Sequence, residues 1–117
     1  MICLEYNQIV DITTNRPYVT ITLSDDQKVL INLSLLALSK NLPVIFFQCN
    51  HSSIVNLLHV SSYYKEGRFF YLHTKLGKQF RVSPKYDHDL FEKIHFAKSH
   101  SVLFYECLSC KRTKITR

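Results

Sequence analysis

The sequence predicts a mostly β domain with antiparallel sheets, one short central helix and one helix after the last strand. Short segments in which apolar and polar residues alternate recur along the chain, and turn residues separate them, as in a series of hairpins. The segment 34–43 instead repeats leucine at spacings of three and four, which is the period of a helix. The segment 83–97 begins with serine and proline, which is a common start of a helix.

Three strands are predicted in the first third of the chain. The first is Ile9–Ile12, and the second is Tyr18–Leu23, in which aliphatic residues alternate with Thr20 and Thr22. A period of two predicts that these threonines lie on the face opposite the aliphatic side chains. A Ser-Asp-Asp sequence then supplies turn chemistry, so Lys28–Ile31 is expected to return as the partner strand of a hairpin.

The central helix is predicted between Ser34 and Pro43. Ser34 suits the cap, because its side-chain oxygen can accept a hydrogen bond from a backbone N–H of the first turn. Leu35, Leu38 and Leu42 recur on one face, and Pro43 stops the segment.

Strands resume on both sides of a polar run and continue to the last helix. Val44–Cys49 and Val55–Ser61 flank residues rich in Asn, His and Ser. Arg68–His73 is an aromatic-rich strand, and a turn at Gly77 leads to its partner at residues 79–82. In total, six to nine short strands are expected. The last helix is expected to open at Ser83-Pro84 and to carry one apolar face, formed by Tyr86, Leu90, Ile94 and Ala97.

Size and composition indicate one globular domain, residues 1–97, followed by a C-terminal extension, residues 98–117. Apolar residues make up 46% of the 117 and charged residues 21%, which is enough apolar material for a single core. No apolar run approaches the roughly 20 residues that cross a bilayer. The first residues lack the basic start and apolar centre of a signal peptide. We therefore expect a cytoplasmic protein without a membrane partner.

The positive charge is unevenly placed. The formal charge is +6, of which residues 1–94 contribute +2 (10 Lys and Arg against 8 Asp and Glu) and residues 95–117 contribute +4 (5 against 1). Such an excess suits an anionic partner, and solubility alone would also explain it. The tail 111–117 is interpreted first as a flexible basic end and second as a phosphate-binding arm.

The four cysteines predict neither a disulfide framework nor a metal centre. Cys3 and Cys49 lie in apolar segments and are expected to be small buried residues. Cys107 and Cys110 form a C-x-x-C pair, which is half of a zinc site, and no second matched pair accompanies it. The candidates to complete such a site are Cys3, Cys49, His95 and His100. We expect no metal and no cofactor.

No enzyme motif competes with a binding function. The sequence has no Gly-rich phosphate loop, no H-E-x-x-H and no cluster of paired carboxylates. Cys49 and His51 are the nucleophile-like pair, and no acid that could orient the histidine is in view.

Four stretches of the chain carry a family resemblance. Ile9 and Asp11 stand before Tyr18-Val19, and leucines follow Ser34 in a short central segment. Residues 46–56 read Phe-Phe-Gln-Cys-Asn-His-Ser-Ser-Ile-Val-Asn, and residues 82–86 read Val-Ser-Pro-Lys-Tyr. In this order they resemble the LytTR-type DNA-binding domain of bacterial transcription regulators, over about residues 2–95. The resemblance implies an elongated, mostly antiparallel β fold whose loops, rather than a recognition helix, enter successive major grooves of DNA.

The resemblance places DNA contacts in three loops, one at residues 15–17, one at the polar run and one after the last strand. Amide, imidazole and hydroxyl groups can donate and accept hydrogen bonds, as base edges in the major groove require. Asn50 and Gln48 are therefore candidates for adenine and His51 for guanine, whereas Arg16 and Lys85 would contact phosphates, with additional charge from Lys75 and Lys78. The complete set of candidate DNA-binding residues is Asn15, Arg16, Gln48, Asn50, His51, Ser52, Ser83 and Lys85.

Several of these residues also have a purely structural interpretation. Asn50 and Ser52 could satisfy backbone groups in a tight connection, and for Asn56 we favour that role at a strand end. His59 and His73 lie in strand patterns and are interpreted as packed or surface histidines.

The expected function is sequence-specific binding of double-stranded DNA by a transcription regulator, as a monomer or weak dimer that pairs on DNA. A receiver or sensor domain of a two-component system is a further candidate partner. The alternative is a degenerate LytTR-like β module for protein–protein interaction. This alternative is favoured by Gln48, His51 and Pro84, which stand where the family usually has basic residues.

Overall fold

The computed structural model describes residues 5–99, which form two antiparallel β-sheets and two α-helices. The five-stranded sheet contains β1 (Ile9–Asn15), β2 (Tyr18–Leu23), β3 (Lys28–Ile31), β4 (Phe46–Asn50) and β5 (Ser53–Asn56), in the spatial order β3-β2-β1-β5-β4. The three-stranded sheet contains β6 (Val60–Glu66), β7 (Phe69–Thr74) and β8 (Gln79–Val82). Helix α1 is Leu35–Ser39 and helix α2 is Leu90–Ser99. The predicted fold class is confirmed.

One apolar core joins both sheets to both helices. Ile12 and Ile21 of the larger sheet, Leu72 of the smaller sheet and Leu90 of α2 are each completely buried within it. Removal of these side chains from water is the main favourable term in folding. The core therefore fixes the position of the smaller sheet relative to the larger one.

The central helix begins as predicted and ends sooner. Ser34 caps α1, since its side-chain oxygen accepts a hydrogen bond from the N–H of Ala37 over 3.0 Å. Leu35 and Leu38 are buried, and Ser39 is the last helical residue. The helix therefore stops short of Pro43.

The prediction of one strand over Val55–Ser61 is wrong, because Asn56 ends β5. The buried side-chain amide of Asn56 donates to the carbonyls of Tyr6 and Ile9, at 3.1 and 2.8 Å. Its oxygen accepts from the N–H of Leu58 and caps a 3-10 turn, Leu57–His59, which leads into β6 in the other sheet. The preferred structural role of Asn56 is thus supported.

The prediction that the last helix opens at Ser83-Pro84 is also wrong. Pro84–Tyr86 form a single 3-10 turn, and α2 begins at Leu90. The side chain of Ser83 makes no capping hydrogen bond, and its backbone N–H donates to the carbonyl of Cys49 in β4 instead. Leu90, Ile94 and Ala97 are buried on one face of α2, as predicted. The helix runs to Ser99, two residues past the predicted domain boundary at 97.

An ion pair between a buried carboxylate and a partly exposed ammonium group connects the two sheets. Thr20 and Thr22 lie on the face opposite the aliphatic residues of β2, and both are nevertheless buried. On the same face, Asp11 lies opposite Thr22, and its carboxylate accepts from the ammonium group of Lys78 at 3.2 and 3.4 Å. Lys78 comes from the β7–β8 turn, so a residue of the smaller sheet helps to cover this face.

Within residues 5–99, no helix is long and apolar enough to span a bilayer.

Candidate nucleic-acid interface

Two of the three predicted loops meet at one end of the five-stranded sheet. The first loop, residues 15–17, joins β1 to β2, and the second loop, residues 50–52, joins β4 to β5. Strands β1 and β5 are antiparallel neighbours with Thr13 opposite Ser53, so the end of β1 adjoins the start of β5. The backbone N–H of Thr14 donates to the carbonyl of Ser52 over 3.0 Å. This bond ties the two loops together.

The third loop, residues 83–85, is tied to the second loop by two further hydrogen bonds. The backbone N–H of Ser83 donates to the carbonyl of Cys49 over 2.9 Å. The side-chain amide of Asn50 donates to the carbonyl of Arg81 over 3.0 Å. Hydrogen bonds therefore connect the second loop, or the strand residue just before it, to residues in or next to the first loop and the third loop.

The first loop presents polar and cationic groups to solvent. Asn15 pairs with Tyr18 at the end of the hairpin, so the turn itself is Arg16-Pro17. Both Asn15 and Arg16 are exposed. Within residues 5–99, Arg16 forms no ion pair, which leaves its guanidinium group available to an anion.

Both the oxygen and the nitrogen of the Asn50 side-chain amide form hydrogen bonds within the protein. Its oxygen accepts from the backbone N–H of Ser52 over 3.0 Å and from the Ser52 hydroxyl over 2.9 Å. Its nitrogen makes the bond to Arg81 described above. A bidentate contact with adenine uses the same amide oxygen and nitrogen. The observed contacts therefore favour a structural role for Asn50.

The two neighbours of Asn50 in the predicted set differ in exposure. Gln48 is half-buried, and its side-chain nitrogen donates to the backbone carbonyl of Asn50 over 3.3 Å. His51 is exposed at the tip of the turn, with Ser52 beside it half-buried. Among the predicted base-contacting residues, His51 thus has the most accessible side chain.

The third loop combines a rigid backbone with an exposed lysine. The N–H of Ser83 is bonded to Cys49, and its carbonyl accepts from the N–H of Tyr86 over 2.9 Å. Lys85 is exposed, with its ammonium group 5.7 Å from the centre of the Tyr86 ring. His51 and Lys85 are therefore both accessible, on loops that adjacent hydrogen bonds hold together.

Two arginines beside the third loop were not predicted. Phe70 of β7 pairs with Val82 of β8, so the β6–β7 turn that carries Arg68 lies at the same end of its sheet as Ser83. Arg68 and Arg81 are exposed, and the guanidinium carbon of Arg81 lies 4.6 Å from the centre of the Phe69 ring. Arg81 precedes Ser83 by two positions in the chain, whereas only the strand pairing brings Arg68 to the third loop, and no local motif marks either residue.

The two other lysines considered for phosphate contacts lie elsewhere. Lys75 and Lys78 are in the β7–β8 turn, which is at the opposite end of β8 from Ser83. The ammonium group of Lys78 is already paired with Asp11. Lys75 therefore lies away from the third loop, and the charge of Lys78 is offset by that of Asp11.

Cys49 and His51 do not form a nucleophilic pair. Cys49 is completely buried, and burial raises the pKa of its thiol to about 12. Its Sγ lies 3.6 Å from the carbonyl of Ser53. The thiol therefore stays in its protonated form, which is unreactive. His51 is exposed in the turn and does not act as a base for this buried thiol.

Within residues 5–99, no three His, Cys, Asp or Glu side chains are grouped so that they could hold a metal ion. Cys3, His100, Cys107 and Cys110 lie outside the described residues, as does the basic tail.

The packed interpretation of His59 is supported by its half-buried ring, whose Nε2 lies 2.6 Å from the carbonyl of Asn7.

Comparison with known proteins identifies the fold. The family model for the LytTr DNA-binding domain matches residues 1–95. A solved structure of the LytTr DNA-binding domain from a Bacillus cereus protein, assigned as a methyl-accepting/DNA response regulator, is similar, with a TM-score of 0.66 and 22% sequence identity. The match covers 76% of this chain and 82% of that one. No curated protein sequence matches the chain.

Proposed function

Because the chain belongs to the LytTr DNA-binding domain family, we propose that it binds double-stranded DNA sequence-specifically, as part of a bacterial transcription regulator in the cytoplasm. The observation that carries this proposal is the chain of hydrogen bonds from Thr14 through Ser52 and Asn50 to Arg81. It links three loops with exposed polar and cationic side chains, two at one end of the five-stranded sheet and the third after β8 of the three-stranded sheet. A preorganised surface loses less conformational entropy on binding than three independent loops.

In this proposal the exposed side chains contact DNA and the engaged ones hold them in place. His51 reads a base edge, either as a donor or as an acceptor according to its tautomer. Arg16 and Lys85 contact phosphates, which fix the register of the protein on the duplex. Asn15, Ser52 and Ser83 add contacts to phosphate or sugar at the edges of these loops, whereas Gln48 and Asn50 support the second loop from within.

Arg68 and Arg81 extend the proposed phosphate-binding surface beyond the third loop. The face of Phe69 supports the guanidinium of Arg81, while the planar edge of the group remains able to donate hydrogen bonds. With Arg16 and Lys85, this gives four cationic side chains without an ion pair inside residues 5–99.

We propose that two protomers occupy repeated half-sites, and that a receiver or sensor domain controls this occupation.

Selection of duplexes from a random library, followed by mobility-shift titrations at several salt concentrations, tests this function. Enrichment of one sequence motif, with affinity lost in His51→Ala and reduced in Lys85→Gln, is the expected result. Lys40→Gln is the matched control, because Lys40 is an exposed lysine away from the three loops. Its neighbour Asn41 accepts a hydrogen bond of 3.4 Å from the hydroxyl of Tyr6, which precedes β1, whereas the first loop follows β1. Absence of binding even at low salt would overturn the proposal.

A protein-interaction module remains the second candidate, and one surface favours it. The solvent face of the smaller sheet carries Tyr64 stacked on Tyr71, with ring centres 5.2 Å apart, and His73 5.4 Å from Tyr64. Tyr64 is 40% exposed. Aromatic residues with polar tips are enriched in protein interfaces. Failure to bind any duplex, with a folded protein, would favour this alternative.

A further inference from the structure

The face of the five-stranded sheet that carries Thr20 and Thr22 contains a groove, and Asn15 is the one residue of the three loops among the residues that line it. Its volume is about 480 Å³, within the range of roughly 300–1,000 Å³ found for small-molecule sites. Strands β1, β2 and β3 form its floor, and Lys78 from the smaller sheet forms part of its wall. The complete lining is Thr13, Thr14, Asn15, Thr20, Thr22, Lys28, Leu30 and Lys78.

Two buried hydroxyl groups in this groove have no hydrogen-bond partner within residues 5–99. They belong to Thr20, which is 7% exposed, and Thr22, which is 0% exposed. A buried hydroxyl without a partner costs about 1–3 kcal/mol, so native proteins rarely leave one unsatisfied. A pair of them on one face, lining the same groove, points to a ligand that supplies acceptors.

The charged groups at the groove favour an anion. Lys28 and Lys78 contribute two positive charges, and Asp11, which is paired with Lys78 at 3.2 Å, contributes one negative charge. The remaining acid is Asp26, 3.5 Å from the ammonium group of Lys28, and its side chain is 71% exposed in the β2–β3 turn. Solvent screens both members of this pair, because the Lys28 side chain is itself 52% exposed. The residues that line the groove carry two positive charges and no negative one, and each lysine is also paired with an acid outside the lining, Lys78 with Asp11 and Lys28 with Asp26.

We propose that this groove binds a small oxyanion, either as a free ion or as a single phosphate of DNA. The hydroxyls of Thr20 and Thr22 donate to the anion oxygens, and Lys28 supplies the compensating charge from the rim. Leu30, opposite Thr20 in the β2–β3 pairing, forms the apolar wall. Asn15 of the first loop also lines the groove, two residues along β1 from Thr13, which lies opposite Thr20.

Titration of the ¹⁵N-labelled protein with inorganic phosphate, at constant ionic strength and without DNA, tests the site. The expected result is a saturable shift of the amide signals of residues 13–15, 20 and 22. Thr20→Val should weaken phosphate binding at least about tenfold, since a hydrogen bond to a charged group contributes about 1.5–3 kcal/mol and about 1.4 kcal/mol corresponds to a factor of ten. Lys28→Gln should also weaken it, whereas Lys40→Gln should leave it unchanged.

Stability provides a second measurement on the same variants. Valine has nearly the shape of threonine, so Thr20→Val removes an unpartnered hydroxyl and should leave the unliganded protein at least as stable as before. Without saturable shifts, or with shifts that Thr20→Val does not alter, the proposed site is excluded. Because the titration contains no DNA, this result does not depend on the proposed function.

A final arm distinguishes the two sources of the anion. The phosphate titration is repeated in the presence of a saturating duplex. Competition identifies the ligand as a DNA phosphate, and an unchanged affinity for inorganic phosphate identifies it as a free anion.

Discussion

Asn50 and Arg81, 31 positions apart in the chain, are joined by a hydrogen bond of 3.0 Å from the side-chain amide of Asn50 to the carbonyl of Arg81. The bond crosses from the five-stranded sheet to the three-stranded sheet. The oxygen of the same amide holds Ser52 in the turn below His51. One side chain thus sets the shape of the second loop and its distance from the third.

Replacement of Asn50 by alanine should therefore affect stability as well as DNA binding. Three hydrogen bonds are lost, and the carbonyl of Arg81 and the N–H of Ser52 lose a partner. We expect the free energy of unfolding to fall by about 1–3 kcal/mol, as measured by urea denaturation. His51→Ala is the control, since an exposed side chain should change stability by less than about 0.5 kcal/mol. Equal stability of the two variants would contradict the assigned role of Asn50.

Replacement of Arg68 or Arg81 by glutamine should change the salt dependence of DNA binding. Each phosphate contact contributes about −0.9 to the slope of log K against log salt concentration. If each arginine contacts one phosphate, each variant should bind all sequences more weakly and have a slope shallower by about 0.9. Mobility-shift titrations between low and moderate salt measure this slope. Unchanged slopes would limit the phosphate contacts to Arg16 and Lys85.

Replacement of Lys78 by methionine should destabilise the domain, because it leaves the carboxylate of Asp11 buried without its cation. Since the Lys78 side chain is 41% exposed, solvent partly replaces it, and we expect a loss on the order of 2 kcal/mol rather than the full cost of a buried pair. The double variant Asp11→Asn/Lys78→Met should recover part of this loss. A double variant less stable than Lys78→Met alone would contradict the interpretation.

His59 should make stability depend on pH. Burial lowers the pKa of its imidazole below the ordinary value of 6.5, and the nearby Lys75 and Lys98 act in the same direction, against the opposing bond to Asn7. Above pH 6.5 the ring is neutral in both states, and this source of destabilisation is absent. As the pH falls below 6.5, the unfolded chain takes up the proton first, so stability is lost until the folded-state pKa is passed. Urea denaturation should show a loss of at most about 1.4 kcal/mol per pH unit from this group.

His59→Gln is the matched variant for this measurement. Its amide can still donate to the carbonyl of Asn7, and it does not titrate. The difference in unfolding free energy between wild type and variant should therefore change as pH falls from 7 toward 5. A difference that stays constant over this range would show that His59 is not the responsible group.

The sequence predicted the elements that local patterns determine. The alternation in Tyr18–Leu23 and the cap at Ser34 are signals within a few residues, and both are found as predicted. The break at Asn56 was missed because the apolar residues on both sides of it read as one strand. Asparagine is nonetheless a common N-cap residue, so this signal was present.

The features that determine the candidate site depend on contacts between distant residues. The ion pair of the buried Asp11 requires Lys78 from the β7–β8 turn, and the role of Asn50 requires Arg81. The position of Arg68 beside the third loop follows from the pairing of Phe70 with Val82. No window of the sequence contains these pairs, so the loops could be predicted individually but not as one linked surface.

The most direct measurement follows backbone amide signals of the ¹⁵N-labelled protein during titration with a selected duplex. If one duplex meets all three loops, the signals of Arg16, His51 and Lys85 shift together with one affinity, and those of the β2–β3 turn, residues 24–27 at the far end of the sheet, do not. Shifts confined to a single loop, or centred on residues 24–27, would contradict the linked surface.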